Sequence, residues 1–557
     1  MSRRRPKRRA AWAWLLILPP LALAAALFVP RAMRAAHKPA IAAISPTVGE
    51  PGAPLRIAGS RFGDQRGLST VEFDGVAPTV SSYISWSDEL IELRVPLYVE
   101  AAVVRVRTEA GLSNPRMFMS LARLPVRPAG DLAGGVGPTI DSLSVDQAAV
   151  GAAVVIRGLN FGSNRDGSAV LFSWQSAAAS FPGQDDGISR GTISPSELDG
   201  EYLSWSDKEI RVLVPDGAVS GSVAVRTPRG TSSARYFQVV DAPGTKSYAD
   251  RRTYALSSFV TISRAQSSGP NSLHLWLPFP EATPSQRDVR ALARSHEPLI
   301  PEHRGLSLYR LGDLANDALV TVSHDHYVQV YAVETDIKAD RVRTPPNPLP
   351  PLYALYTAPD ALVPSDAEPI RTFATRAAGR ERNHYRAAKL VYDALLAAVS
   401  YSPSARADEP AKALAAGAAD SWDLSILYAA MLRSLGVPAR PVAGVVVDDQ
   451  RRTWNHAWAE FYLYGLGWVP VDPVLGSGSD VGDFRAPFED RSRYFGNMDA
   501  RHIAFSRGFV RLSPLSPEGK TMGATRRYSM QSIFEEVAGA LSSYTSFWSD
   551  VEVTGIY

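Results

Sequence analysis

The sequence predicts a multidomain protein that is mostly β in its N-terminal part and ends in an α+β core. Three observations support this. The chain has 557 residues, more than a single hydrophobic core usually organises. A pattern of short alternating strands occurs twice. Near the C-terminus an apolar helical segment precedes three predicted strands. We therefore predict an N-terminal transmembrane helix, two all-β sandwiches, a further β-domain and an α+β core.

The cysteine content and the charge distribution exclude several kinds of site and partner. The chain contains no cysteine, which excludes disulfides, thiolate metal sites and a thiol nucleophile. The whole chain carries a net charge of +3, but residues 1–38 hold nine Lys and Arg and no acid, so residues 39–557 carry −6. Because the positive charge belongs to the N-terminal segment, no folded domain is expected to present a basic face, and no nucleic-acid partner is predicted.

Residues 1–38 form a predicted cytoplasmic basic tail and membrane anchor. MSRRRPKRR precedes Ala10–Pro30, a run of 21 uncharged residues that is long enough to cross a bilayer. Basic residues before the span favour a cytoplasmic N-terminus and a periplasmic or extracellular remainder. A cleaved signal peptide is the rival interpretation. The interruption at Pro19-Pro20 and the arginines at 31 and 34 favour an uncleaved anchor.

An internal repeat follows, with copies at residues 39–122 and 137–241. The two copies share glycine-rich and tryptophan motifs: Gly59-Ser-Arg-Phe-Gly63 and Ser85-Trp-Ser-Asp88 in the first, Gly158-Leu-Asn-Phe-Gly162 and Ser204-Trp-Ser-Asp207 in the second. The spacing predicts an insertion of 20 residues between Ser173 and Gly200 of the second copy. Short alternating strands with Gly, Pro, Asn and Asp turns predict a β-sandwich in each copy.

The opening Ile44-Ser-Pro-Thr47 and the Gly-x-x-Phe-Gly turn resemble IPT/TIG domains, which are immunoglobulin-like modules. The resemblance covers both copies and implies spacer or adhesive domains. Trp86 and Trp205 recur at equivalent positions, so we expect them to pack against the sandwich cores rather than to form exposed contacts.

Residues 246–340 predict a β-domain that precedes the core. Leu273–Pro280 and Tyr327–Val333 read as strands. His324 and His326 would share one face of a strand, but a third metal ligand is not evident, so no metal site is predicted. The sequence also lacks a phosphate-binding glycine loop, a His-Glu-x-x-His motif and a Gly-x-Ser-x-Gly motif, and no cofactor is expected.

Residues 350–512 form the predicted α+β core, and residues 513–557 form a C-terminal extension without an assigned role. Pro369–Ala378 and Asn383–Ser400 have helical spacing. A third helix, 422–435, begins after Asp420-Ser421, a pair able to cap it, and stops at Gly436. Predicted strands follow at Val442–Val447, around His456, up to Asp472, and from Arg501 to Leu512.

This order brings together three residues with complementary chemistry. Ser421 stands at a helix N-terminus, where a main-chain amide could also stabilise an oxyanion. His456 and Asp472 lie on neighbouring strands, so the carboxylate could orient the imidazole. A nucleophile, a base and an orienting acid are the elements of acyl-transfer catalysis. The candidate catalytic residues are therefore Ser421, His456 and Asp472.

Three motifs in this order resemble the transglutaminase-like superfamily, which has a papain-like fold: Leu435-Gly-Val-Pro-Ala-Arg440, Asn455-His-Ala-Trp-Ala-Glu460 and Gly467-Trp-Val-Pro-Val-Asp-Pro473. The family's nucleophile is a cysteine, and Ser421 holds its place here. The resemblance implies action on amide carbonyl groups. A hydroxyl is far less acidic than a thiol, so Ser421 would need general-base deprotonation during attack.

Three hypotheses follow. The first is a catalytically degenerate domain that binds a peptide or cell-envelope ligand. The second is an amide-bond hydrolase or transferase that uses Ser421, His456 and Asp472. The third is a structural or adhesive cell-surface protein whose sandwiches make the contacts. All three name a peptide, a protein or a cell-envelope polymer as the partner, and the membrane as the anchor.

Overall fold

The computed structural model describes residues 38–557 except 47, 50–51, 74–76, 79, 97–98, 100, 121–136, 166, 177–189, 241–242, 408 and 524–526. The predicted anchor lies in residues 1–38, nearly all outside this range, and remains a prediction. Among the helices of the described ranges, none has the length and apolar character that crossing a membrane requires. The chain divides into two compact units, residues 1–125 and 126–557.

The first unit contains one β-sandwich. Its strands are β1 Ala40–Ser45, β2 Val48–Gly49, β3 Pro54–Ser60, β4 Thr70–Phe73, β5 Tyr83–Trp86, β6 Leu90–Arg94, β7 Ala101–Thr108, β8 Gly111–Leu112 and β9 Arg116–Ser120, with a 3-10 turn at Val80–Ser82. One sheet has the order β1-β3-β6-β5 and the other β2-β9-β7-β4, with β8 beside β7. Alternate residues of both sheets point inward, so residues such as Ile57 and Val104 are fully buried.

The second copy of the repeat has the same arrangement. Its strands are β10 Thr139–Leu143, β11 Gln147–Ala148, β12 Ala153–Leu159, β13 Ala169–Gln175, β14 Arg190–Ile193, β15 Tyr202–Trp205, β16 Glu209–Leu213, β17 Gly221–Thr227, β18 Gly230–Thr231 and β19 Arg235–Val239. The sheets run β10-β12-β16-β15 and β11-β19-β17-β13-β14. The added strand β14 falls inside the predicted insertion.

The two repeat tryptophans occupy equivalent places. Trp86 donates its indole N–H to the carbonyl oxygen of Phe62 at 3.2 Å, and Trp205 donates to Phe161 at the same distance. Both rings are half-buried against their sandwich cores. The repeat motifs therefore act together, because the tryptophan anchors the glycine-phenylalanine turn.

A long antiparallel strand pair forms the centre of the next domain. Its strands are β20 Gly244–Pro278, β21 Gln286–Arg294, β22 Leu306–Gly312 and β23 Val320–Ile337, followed by a 3-10 turn at Ala339–Arg341. β23 pairs along its whole length with the first part of β20, from Gly244 to Ile262. His324 and His326 are buried in this sheet with ring centroids 4.3 Å apart.

The α+β core packs helices against a four-stranded sheet. The helices are α1 Pro351–Thr357, α2 Glu368–Ala378, α3 His384–Ala398, α4 Pro410–Ala416, α5 Ser421–Ser434 and α6 Pro473–Gly476, with a 3-10 turn at Arg491–Tyr494. The strands are β24 Ser400–Tyr401, β25 Ala418–Ala419, β26 Ala439–Val447, β27 Thr453–Leu463, β28 Gly467–Val471 and β29 His502–Arg507. In the order β28-β27-β26-β29, the strand that carries His456 is β27, which is hydrogen-bonded to β28 on one side and to β26 on the other.

The C-terminal extension belongs to the preceding β-domain. It supplies β30 Lys520–Met522, β31 Glu535–Trp548 and β32 Glu552–Ile556. β31 and β32 pair with β20 nearly three hundred residues earlier, giving the sheet order β21-β23-β20-β31-β30. The residues that follow the core in the sequence therefore complete the sheet of the β-domain that precedes it. Their sequence did not suggest this role.

The second sandwich is joined to the core through its insertion. Asp199 accepts hydrogen bonds from Arg440 at 2.9 Å, from Tyr356 at 2.8 Å and from the indole of Trp468 at 3.2 Å. Arg440 also donates to Glu460 at 3.1 Å and stacks 3.6 Å from the Trp468 ring. Burial opposes ionisation of Asp199, yet Arg440 lowers the pKa of its carboxyl.

A second buried contact fixes the same junction. Asp216 of the sandwich pairs with Lys246 and accepts the main-chain N–H of Trp468 at 3.3 Å. Gly467 has φ +96°, and a side chain there would overlap the Asp216 carboxylate. The glycine in the Gly-Trp motif is thus required for close approach as well as for its backbone conformation.

Asp199→Ala should destabilise the unit formed by residues 126–557 by about 3 kcal/mol, because Arg440 would stay buried without its main carboxylate. Urea unfolding followed by tryptophan fluorescence measures this change. Glu197→Ala is the matched control. Glu197 pairs with Arg165 but its side chain is 62% exposed, so its loss should cost less than about 0.5 kcal/mol. Equal unfolding midpoints for the two variants would contradict the prediction.

Candidate active site

Ser421 is the first residue of helix α5. Asp420 caps the helix by accepting the N–H of Asp423 at 2.8 Å. The helix is apolar on every side and is buried from Ser421 to Arg433, which fixes its position in the core. The Ser421 Oγ accepts the N–H of Ala457 at 3.3 Å. The hydroxyl therefore lies against the main chain of the residue that follows His456.

His456 and Asp472 form a hydrogen-bonded pair. The Nε2 of His456 is 2.7 Å from the Oδ2 of Asp472, and both side chains are completely buried. Because an ionised carboxylate can only accept, Nε2 carries a proton; in the neutral ring, Nδ1 then has the free lone pair. Nδ1 is buried without a hydrogen-bond partner. The ring is thus held in the tautomer that a general base requires.

Asp472 is held from both sides. Its Oδ1 accepts the main-chain N–H groups of Val474 at 2.9 Å and of Leu475 at 3.0 Å, so the carboxylate caps the short helix α6. Its Oδ2 also lies 3.3 Å from the Nε2 of His502. The carboxylate therefore has four partners, and its orientation is fixed.

His502 and its neighbours are the site residues that the sequence interpretation missed. His502 begins β29, and its Nδ1 lies 3.0 Å from the Oδ1 of Asp499. Asp499 in turn accepts the hydroxyl of Tyr494 at 2.6 Å. A signal was present, since Asp499 and His502 are polar residues three apart at the start of an apolar strand. Nothing in that spacing indicated that they reach Asp472.

The carboxylates change the protonation of this cluster. Burial alone would lower the pKa of the His502 ring, but Asp499 and Asp472 raise it to about 9. Burial disfavours ionisation of Asp472, yet His456 and His502 hold the pKa of its carboxyl well below the ordinary value. The pKa of Asp499 is lowered in the same way, mainly by His502 acting against burial. At neutral pH, His502 is an imidazolium between two carboxylates.

The nitrogen and oxygen atoms of His456, Asp472 and His502 lie within 4.8 Å of one another, close enough to converge on a metal ion. Such a site would require His502 to release a proton. Both of its ring nitrogens instead face carboxylates, which favours the charged, hydrogen-bonded form. The donor set fits a proton-handling cluster better than a metal centre.

The C-terminal extension borders the site. Met530 packs in a small apolar cluster with Trp422, Ile426, Ala443 and Ala457. On the strand of His456, Asn455 donates to the carboxylate of Asp550 at 3.0 Å. The extension therefore covers the first turn of α5 and the start of β27, and Ser421 is 7% exposed.

Comparison with known families agrees with this geometry. Residues 371–473 match the transglutaminase-like superfamily, and residues 39–115 match the IPT/TIG domain. These matches confirm the transglutaminase-like resemblance and, for the first copy of the repeat, the IPT/TIG resemblance. His502 and Asp499 lie beyond the matched part of the core. No curated protein sequence matches the chain significantly.

Solved structures resemble parts of the chain. A structure named as a candidate cysteine protease from Cytophaga hutchinsonii is 14% identical and covers 56% of this chain and 92% of its own, with a TM-score of 0.36. A TGase is 15% identical and covers 39% of this chain and 54% of its own, with a TM-score of 0.19. SGBP-B from a xyloglucan utilization locus of Bacteroides uniformis is 12% identical and covers 54% of this chain and 100% of its own, with a TM-score of 0.15.

The stability of the protein should fall as pH rises from about 6.5 to 9. The folded-state pKa of His502 lies above its unfolded value, so its stabilisation is complete below pH 6.5 and is lost as pH passes 9. The loss should be on the order of 3 kcal/mol in the free energy of unfolding. Urea unfolding at pH 6 and pH 9.5 measures it. The variant His502→Gln should lack this slope; an identical pH dependence in both proteins would refute the assignment.

Proposed function

We propose, for a chain that contains a transglutaminase-like domain and an IPT/TIG domain, that the core is an acyl-transfer enzyme in which Ser421 attacks amide or peptide carbonyl groups. The observation that carries the proposal is the unpaired Nδ1 of His456, opposite a 2.7 Å hydrogen bond to Asp472. A buried ring nitrogen without a partner costs free energy. A role for Nδ1 as the general base that accepts the proton of the nucleophile accounts for that cost.

The steps follow from these positions. Ser421 transfers its proton to the Nδ1 of His456 as its Oγ bonds to the carbonyl carbon. The first main-chain amides of α5 point toward that end of the helix, where they can donate to the oxyanion. His456 then protonates the leaving amine nitrogen, and water or a second amine completes the cycle. Asp472 stabilises the transient imidazolium and does not take its proton.

A second candidate is ligand binding without turnover. The supporting observation is the hydrogen bond that the Ser421 Oγ accepts from Ala457 at 3.3 Å, which satisfies the hydroxyl as a structural group. Under this proposal the core retains a peptide or a cell-envelope polymer in the region around α5. Ser421→Ala should then leave binding unchanged in sedimentation with isolated cell-envelope material.

A fluorophosphonate probe separates the two candidates. The enzyme proposal expects labelling of Ser421, mapped by mass spectrometry and absent from Ser421→Ala. His456→Ala should slow labelling by about 100-fold or more, because the general base is lost. Ser434→Ala, at the other end of α5, is the matched control and should label normally. No labelling of the wild-type protein, under conditions that label a known serine hydrolase, would favour binding without turnover.

We also propose that residues 1–38 anchor the protein in the membrane and that residues 39–557 lie outside the cytoplasm. The support is the basic tail followed by 21 uncharged residues. The protein should sediment with membranes after alkaline carbonate washing and keep its original N-terminal segment. Protease added on the non-cytoplasmic side of the membrane should degrade the folded domains. A shorter soluble chain with a new N-terminus would instead indicate a cleaved signal peptide.

A further inference from the structure

A second histidine–aspartate pair lies behind the first. His456 and His502 approach the same oxygen, Oδ2 of Asp472, at 2.7 and 3.3 Å, and their ring centroids are 5.9 Å apart. Asp499 lies on the far nitrogen of His502 at 3.0 Å. The side chains of all four residues are at least 96% buried, so water does not screen the charges within this group.

The charges of the group are balanced for one additional proton. Asp472 and Asp499 supply two negative charges, and the His502 imidazolium supplies one positive charge. With a neutral His456 the group carries one negative charge in excess. When His456 accepts the proton of Ser421, two carboxylates face two imidazolium rings and the charge is neutralised.

We propose that His502 and Asp499 are positioning residues that hold Asp472 ionised and oriented, and that Asp499 neutralises His502 so that the charge of Asp472 remains available to His456. The inference rests on the proposed acyl-transfer function. The proton moves from the Oγ of Ser421 to the Nδ1 of His456 and then to the leaving nitrogen. The protons on the Nε2 atoms of His456 and His502 stay in place throughout.

The carboxylates and rings in contact with His502 fit this role. Asp472 follows β28, and Asp499 precedes β29. From β27, the Trp458 ring lies edge-on at 5.2 Å. The Phe484 and Tyr494 rings lie at 6.0 and 6.2 Å. The Tyr494 hydroxyl donates its hydrogen bond to Asp499. The negative charges that face His502 among these neighbours are therefore the two carboxylates.

Asp499→Asn should separate this role from simple packing. The variant leaves one carboxylate, Asp472, beside two imidazole rings, so protonation of both rings becomes less favourable. The histidine ring signals of the full-length protein, followed by NMR across pH, should show the titration midpoint of His502 falling by more than one pH unit. Asp499→Glu should restore most of that midpoint, because it returns the charge. Asp490→Asn, which removes an exposed carboxylate that caps the neighbouring 3-10 turn, should change nothing.

Fluorophosphonate labelling supplies the second measurement. In Asp499→Asn the labelling rate should fall about tenfold near pH 6.5, where a charged His502 competes for Asp472. It should recover toward the wild-type rate above pH 8, where His502 is neutral. Tyr494→Phe, which removes one hydrogen bond from Asp499, should give a weaker change in the same direction and guards against misfolding of the first variant.

The outcomes distinguish two failures. A rate loss that is equal at every pH, or an unchanged His502 midpoint in Asp499→Asn, would overturn the positioning role even if Ser421 is labelled. Wild-type protein that is not labelled at any pH would overturn the proposed acyl transfer, while the NMR midpoints would still decide whether Asp499 charges His502.

Discussion

The site depends on one buried carboxylate. Asp472 accepts four hydrogen bonds, two from imidazole rings and two from main-chain amides. These bonds tie the strand of His456, the strand of His502 and the short helix after β28 to a single point. Each of these groups stabilises the ionised carboxylate in this buried position. The four hydrogen bonds to Asp472 therefore fix both the geometry of the site and the relative positions of the strands that carry it.

A second charged group secures the other end of the same strands. Glu460 on β27 accepts from Arg440 on β26 at 3.1 Å and from Arg507 at the end of β29 at 3.0 Å. Asp199, from the insertion in the second sandwich, completes this group through Arg440. His456 and Glu460 are four residues apart on one strand and so share its face. The sandwich insertion thus braces β26, β27 and β29, and two of these strands carry the site residues His456 and His502.

The local parts of this architecture were predictable from the sequence. The apolar run after Asp420-Ser421 predicted a helix within a residue or two of α5, and the two histidine and tryptophan motifs predicted the neighbouring strands. The repeat offset placed the insertion correctly between Ser173 and Gly200. These features have short-range signals: helical spacing, caps and glycine turns.

The long-range contacts were not predictable in the same way. The pairing of β31 with β20 joins segments far apart in sequence, and strand pairing of that kind leaves no local pattern. His502 stands thirty residues after Asp472, beyond a glycine-rich segment, so its approach depends on how that segment folds. Asp199 lies in the insertion, where no local sequence pattern indicates its partners. A lone polar residue gains its role only from the partners that tertiary packing supplies.

The second histidine–aspartate pair bears directly on the proposal that an oxygen nucleophile, rather than a sulfur nucleophile, acts at this site. A thiol beside an imidazole can rest as a thiolate–imidazolium pair, so its base need not become charged during attack. A hydroxyl cannot, and the imidazolium must form as the bond to carbon forms. That demand falls on Asp472, whose charge would be divided if an uncompensated cation shared its Oδ2. Asp499 supplies a compensating charge to His502, so the arrangement around Asp472 matches the chemistry proposed for Ser421.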